Sequence, residues 1–360
     1  MRLPAIPRSL FAKTAIIAST LVLGCILVLA LAFGSNPLMT RLLSVILAIA
    51  AGVVGVIGLF YVLNALVQGL PYRWRPRVLP WVFVGPAGVV LAAYLVLPTL
   101  NTFYLSLLDR RSENFVGLAN YAFALTNRAM LIAFRNNFLW LVLVTGLSVG
   151  FGLVIAVLLD RVKYEPLAKS LIFLPMAISF VGASVIWRFI YAFRPANSEQ
   201  IGLLNAAITR LGFEPVGWLV ERSVNNFALI AIMIWLYTGF CMVLLSSAIK
   251  CIPADILEAA RIDGANEFQI FWRIIIPYVR STIAVVATTV IILVLKVFDI
   301  VWVMTGGNQG TEVLASRMIK EMFNFRDFGR GSAIAVILFI LVIPVIFANI
   351  RRFQQQEANR

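Results

Sequence analysis

Any chemistry in this chain of 360 residues is done without histidine, which is absent. Imidazole-dependent triads, His–zinc sites and His-ligated haem are excluded together. The three cysteines, Cys25, Cys241 and Cys251, include no CxxC pair, so neither a metal knuckle nor a disulfide framework follows. No phosphate-cradling G-x-x-x-x-G-K-[ST] loop is present either; the glycine-rich run 306–311 lacks the lysine and reads as a turn. The chain therefore cannot bind and hydrolyse ATP alone. What is left are charges set in apolar surroundings. Lys296 and Asp299 stand three residues apart, which predicts one shared helical face. A lysine at the bilayer centre costs roughly 2.5–3.5 kcal/mol on insertion scales, so it must be paired or face water. Two readings stay open: a polar wall of a translocation cavity, or an intrahelical ion pair near the outer interface.

The elements that position these charges follow from composition. Residues of the AVILMFWYC set make up 61% and charged residues only 13%, against roughly 45–50% and 25% in soluble chains. There is too little polar surface to cover a water-facing globule, so the fold class is an all-α integral membrane protein. Apolar runs fall at 12–33, 42–67, 79–107, 138–159, 167–193, 227–249, 283–304 and 333–350. At roughly 20 residues per crossing, these predict about eight transmembrane helices. Trp187-Arg188 interrupts the end of the fifth run, and Pro86 and Pro98 sit within the third, where a membrane helix tolerates them. Gly52, Gly55 and Gly58, and Gly146-x-x-x-Gly150, either mark close helix contacts or reflect the general abundance of glycine in membrane helices.

The net charge of +14 sits in short turns between apolar runs, which points to membrane lipid and not to nucleic acid. Arg2, Arg8 and Lys13, then Arg73, Arg75 and Arg77, then Arg161, Lys163 and Lys169, and finally Arg351-Arg352 share one side if the amino terminus is cytoplasmic. Arg110, Arg111 and Arg128 weaken the contrast. Both termini are predicted inside. The basic start and Ala30-Leu31-Ala32 resemble a signal peptide, but the first run exceeds a usual h-region and reads as a retained anchor.

One segment differs from the other turns. After Lys250-Cys251-Ile252-Pro253, residues 254–277 form a loop expected on the cytoplasmic side. Pro253 suits a helix start, Asp255 and Glu258 suit its positive end, and Asp263-Gly264 suits its stop. A second helical stretch is expected to gather Phe268, Phe271, Trp272 and Ile275 on one apolar face. The loop thus reads as two short helices broken at a glycine and lying against the membrane.

Glu258-Ala259-Ala260-Arg261-Ile262-Asp263-Gly264-Ala265, followed by Phe271, Ile274, Ile276 and Pro277, resembles the EAA loop in the membrane subunits of binding-protein-dependent ABC importers. The resemblance implies a coupling helix seated in a groove of a separate ATPase. Ala259 and Ala260 would allow close approach, Gly264 would set the bend, and Glu258 would face a basic ATPase residue, with Arg261 and Asp263 in the same motif. Further segments are similar to carbohydrate permeases of the maltose or α-glucoside type. They are Trp187 with Ile201-Gly202-Leu203-Leu204-Asn205, then Phe298-Asp299-Ile300-Val301-Trp302-Val303-Met304-Thr305-Gly306-Gly307 with Thr311, then Phe328-Gly329-Arg330-Gly331-Ser332-Ala333. The implied organisation is two extra helices in 1–78, a six-helix permease core in 79–352 with its coupling loop near 253–277, and a cytoplasmic tail in 353–360. The implied location is a bacterial inner membrane. The implied partners are a second permease, an ATPase dimer carrying the ATP and Mg that this chain does not bind, and an extracytoplasmic sugar-binding protein. The implied cargo is a sugar of the oligosaccharide, α-glucoside or glucosylglycerol-like class.

A sugar path needs hydroxyl-matching groups and aromatic faces among helices near mid-depth. Candidates are Trp235, Tyr237 and Thr238 in the sixth run, Ser179 and Ser184 in the fifth, and Lys296 and Asp299 in the seventh. Met233 and Tyr237 stand where the maltose-type subunit carries polar or small residues, so this chain departs from it there. Helix packing and serines bonded to their own backbone are the structural alternative. Two other functional classes compete with the importer reading. An ion-coupled secondary transporter would need no docking loop, and a membrane-embedded enzyme is disfavoured by the lack of histidine and of paired acidic motifs.

Overall fold

The computed structural model describes residues 67–358 apart from 161, 196 and 197, together with scattered positions from 41 to 66. The expected span 12–33 and most of 42–67 lie outside the described residues. The chain divides into two units, Met1–Pro98 and Thr99–Arg360. Helix α1, Arg75–Leu105, carries Pro80 and Pro86 and turns outward such apolar side chains as Trp81 and Val89. A turn follows in which Leu108 and Phe115 form an isolated bridge. There the Asn114 amide donates to Asp109 at 2.7 Å and, with the Glu113 backbone N–H, holds that carboxyl below the usual carboxylate range.

In the second unit, α2 is Ala119–Thr126 and α3 is Arg128–Leu159. Asn127 starts α3 by accepting from the Ala129 amide at 2.9 Å, the usual role of an asparagine N-cap. Next come α4, Glu165–Phe173, α5, Phe180–Ile190, α6, Leu203–Arg210, and α7, Asn225–Lys250. The chain continues through α8, Ala254–Ile262, α9, Glu267–Leu295, α10, Asp299–Thr305, α11, Leu314–Ile319, and α12, Phe328–Ala358. The described residues contain helices and no strand ladder, so the all-α membrane class holds. Among the described residues, five helices, α1, α3, α7, α9 and α12, are long and apolar enough to cross a membrane, or six if α4 and α5 count as one broken span.

Helix α7 is the core of the unit. Leu229, Ile232, Leu236, Met242 and Leu245 are buried around it, as expected of a helix apolar on all sides. It runs parallel to α3: Asn226 meets Asn136 near the two starts, and Gly152 meets Cys241 farther along. A Cβ built on Gly152 would lie 2.6 Å from the Cys241 Cβ, and one on Gly239 would lie 2.3 Å from the Ile172 carbonyl oxygen. These two glycines are the ones that let α7 approach its neighbours closely. Gly146 and Gly150, candidates for that role from their spacing, have nothing within 4 Å of a built Cβ, and neither do Gly52 and Gly55. The reason is angular, since two residues turn a helix by about 200° and put Gly150 away from Gly152.

The fifth expected span is not one helix. It bends by 100° between Glu165–Ala177 and α5. Pro175 lies in the tight turn Leu174–Ala177, where proline ends a regular ladder. Ser179 restarts the helix by accepting from the Gly182 amide at 3.0 Å. Trp187-Arg188 does not interrupt anything; it lies inside α5, where Arg188 donates to the Val303 carbonyl at 3.0 Å. The seventh expected span is broken too, with α9 ending at Leu295 and α10 opening at Asp299. Asp299 is the first residue of a new helix, where the dipole favours a carboxylate. Lys296 and Asp299 therefore do not share one helical face.

Candidate docking loop and transport cavity

The loop after α7 is built from local signals. Pro253 is the N-cap of α8 in extended backbone, Asp255 lies in the first turn and Arg261 in the last, each charge matched to its end of the dipole. Gly264 adopts φ +82°. Its N–H donates to the Arg261 carbonyl and the Ala265 N–H to the Ala260 carbonyl at 3.0 Å, which together make a Schellman stop. Asn266 then opens the next helix through a reciprocal capping box with Gln269, at 2.9 and 2.8 Å. Arg261 and Glu267 span the bend through a 3.1 Å ion pair. Both partners are about half exposed, so the pair contributes about 0.2–1 kcal/mol at most.

The second stretch is not a short helix of its own. Glu267–Ile270 runs on through a π-helical turn, Phe271–Ile275, into the membrane-length helix α9. That turn also splits the expected apolar face. Ile270 and Ile275 are buried, whereas Phe268 is 73% and Trp272 54% exposed, because the wider turn shifts the angular spacing of side chains. Of the motif residues, Ala260 packs inward beside Leu257, while Glu258, Ala259, Arg261, Asp263 and Gly264 are exposed. Ile262 is exposed by 86%, and the rings of Phe268 and Trp272 meet edge-on at 6.1 Å on the other side of the bend, so the loop leaves large apolar side chains uncovered, as partner surfaces do.

Toward the middle of the unit, a cavity of about 190 Å³ is lined by Phe180, Met233, Phe298, Lys296 and Asp299, among others. It forms where three helix ends meet: the start of α5, the end of α9 and the start of α10. Among the described residues no ion pair joins Lys296 to Asp299, and Lys296 is exposed. The remaining candidates do not line this cavity. Ser179 caps α5, Ser184 donates to the Phe180 carbonyl at 2.7 Å, and Thr238 donates to the Ile234 carbonyl at 2.7 Å. Trp235 packs edge-on against Trp187 at 5.7 Å, and Tyr237 lies 6.2 Å from the ring of Phe180. Met233 and Phe180 are lining residues that sequence reasoning did not select as sites.

A second missed feature closes the opposite end of the unit. The turn at 306–311 is built on positive φ at Gly306, Gly307, Gln309 and Gly310. Asn136 donates to the carbonyls of Gly310 and Glu312, both at 2.7 Å, and Asn225 donates to that of Gln309 at 3.0 Å. Asn137 accepts from the Leu314 amide at 2.7 Å. The signal was present as two Asn-Asn pairs directly ahead of the apolar runs 138–159 and 227–249, since a buried amide must find partners.

The family model described as "Binding-protein-dependent transport system inner membrane component" matches residues 148–359. The chain belongs to that family. It is a multi-pass inner-membrane permease of an ABC importer and not an enzyme, and the ion-coupled alternative is not favoured. The chain is 74% identical over 278 residues to the osmoprotective compounds uptake permease protein GgtC of Synechocystis, covering 77% of this chain and 100% of that one. It is 48% identical over 335 residues to the alpha-glucoside transport system permease protein AglF of Rhizobium meliloti, covering 89% and 100%. In fold it is similar to a chain from the crystal structure of a bacterial ABC transporter that imports the acidic polysaccharide alginate. That match has TM-score 0.65 and 19% identity, covering 78% of this chain and 97% of the other.

Proposed function

We propose that this chain forms half of the membrane pathway of an ATP-driven importer for α-glucosides or glucosylglycerol-like osmoprotectants. The observation that carries the coupling half of this reading is the loop: a short helix closed by a Schellman stop presents Glu258, Arg261 and Ile262 outward and is joined to α7 and α9 by turns of three and four residues. A separate ATPase dimer supplies ATP and Mg, and its closure moves the loop. A second permease completes the pathway, and an extracytoplasmic binding protein delivers the cargo. The substrate half is supported by what the two relatives are named for.

In this reading the loop end faces the cytoplasm, together with both termini. Lys169 and Lys250 meet on Glu165 at that end, and Lys163, Arg273 and Arg351 fall in the short basic segments between or after the apolar runs, which supports this orientation by the positive-inside rule. Residues 79–352 form the shared core, 1–78 add helices to it, and 353–360 form a cytoplasmic tail. Lys296 and Asp299 present hydrogen-bonding groups to the cargo beside the rings of Phe180 and Phe298. Ser179, Ser184, Trp235, Tyr237 and Thr238 shape the surrounding helices.

The test is uptake in a strain lacking the chromosomal copy, with labelled glucosylglycerol, a set of α-glucosides and a pentose. Complementation is expected to restore the first two classes and not the third. Restored pentose uptake alone, or restoration without the partner ATPase, would overturn the proposal.

A further inference from the structure

At the loop end, one carboxylate holds two elements together. Glu165, the first residue of α4, pairs with Lys250, the last residue of α7, at 2.6 Å. It also pairs with Lys169 one turn along its own helix, and Lys169 donates in turn to Ser246 of α7. The carboxylate side chain is 18% exposed and Lys169 17%, whereas Lys250 is 51% exposed. A carboxylate that faces two ammonium groups, one on its own helix and one on α7, is held between them and links the two helices. Lys250 lies three residues before Pro253, the cap of the docking helix.

The far end of α4 is fixed by shape. Gly239 lets α7 press on Ile172 and Phe173, where a Cβ would come within 2.3 Å of backbone. Immediately beyond are Pro175, the 100° bend and Phe180, which lines the cavity with Lys296 and Asp299. Helix α4 is therefore a short rod pinned to α7 at both ends, with the docking loop at one end and the cavity wall at the other.

We infer that Glu165 is a positioning residue for transport, tying α4 to the root of the docking loop so that loop movement reaches Phe180 through the rod and the bend. This rests on the reading of the loop as the ATPase contact. Without the tie, the ATPase still docks and cycles, but the broken helix no longer follows it.

The experiment uses the complete reconstituted transporter with its binding protein, measuring ATP hydrolysis and cargo uptake on the same vesicles. In Glu165→Gln, stimulated hydrolysis should stay near wild type while cargo imported per ATP falls about fivefold or more, the low end of ordinary coupling effects. Lys250→Gln, changing an exposed side chain that folding tolerates, should reproduce the loss. Glu165→Asp should restore part of it, and combining both Gln changes should add little. Parallel loss of hydrolysis and uptake in Glu165→Gln and Lys250→Gln, or an unchanged ratio in both, would overturn the inference. Gly264→Val, run alongside, reads the loop itself: hydrolysis and uptake falling together supports docking. An unaffected Gly264→Val would sink the docking reading separately, whatever Glu165 does.

Discussion

At the scale of residues, the two glycine-dependent features carry different consequences. Gly264 needs positive φ and has open space around it, so a β-branched replacement introduces backbone strain of about 1–3 kcal/mol without a clash. Gly264→Val should therefore assemble normally, while stimulated hydrolysis and uptake fall together; Glu258→Ala should do the same more mildly. Co-purification with the ATPase, beside both assays, checks this, and normal transport in both variants would remove the docking role. For the intramembrane charges, the absence of an ion pair between Lys296 and Asp299 sharpens the expectation. Replacing them together by Met and Leu should leave insertion and hydrolysis intact, yet raise the apparent KM or alter preference among sugars. Kinetics unchanged across several sugars would take both residues out of the pathway.

At the scale of elements, packing decides stability. Gly152→Val drives a branched side chain into Cys241 and the α7 backbone, an overpacking that costs about 1–3 kcal/mol. Thermal denaturation of the subunit in detergent should show a lower midpoint, whereas Gly146→Val, which meets nothing, should leave it unchanged. This pair also shows what the sequence could and could not reveal. Hydropathy found α3, α7, α9 and α12 because each is a long apolar run, and the composition of the loop located α8 and its glycine stop. The bend at Ile178-Ser179 and the break at 296–298 each involve only two or three residues, and a twenty-residue average passes over them. The cavity lies at those breaks, so Lys296 and Asp299 were recognised while Phe180 and Met233 were not. The GxxxG spacing misled because spacing alone does not say which way a helix face points.

At the scale of the molecule, orientation ties the readings together. Cys241 is buried and Cys251 exposed at the start of the docking loop. In a Cys25→Ser background, an impermeant thiol reagent should leave Cys251 unlabelled in intact cells and label it in inverted vesicles. Labelling from outside would reverse the topology and with it the contact to a cytoplasmic ATPase. If the topology holds, the asparagine-clamped turn at 306–311 faces the side from which cargo arrives. Asn136→Leu, which frees the Gly310 and Glu312 carbonyls, should then weaken uptake while leaving unstimulated hydrolysis unchanged.

The π-helical turn at Phe271–Ile275 sets how the chain can change length. In a regular helix, each residue removed rotates everything beyond it by about 100° and shifts it by about 1.5 Å. A π turn stores one surplus residue locally, with the flanking segments kept in phase. Deleting a single residue within 271–275 should let that turn close into ordinary α-helix and leave Glu258 and Ile262 aimed as before. Deleting one from the regular stretch 282–292 should swing them about 100° away. Uptake by the two deletion variants, measured side by side, should survive the first and be abolished by the second. The turn is then the place where a family member can gain or lose a residue without misdirecting its contact with the motor.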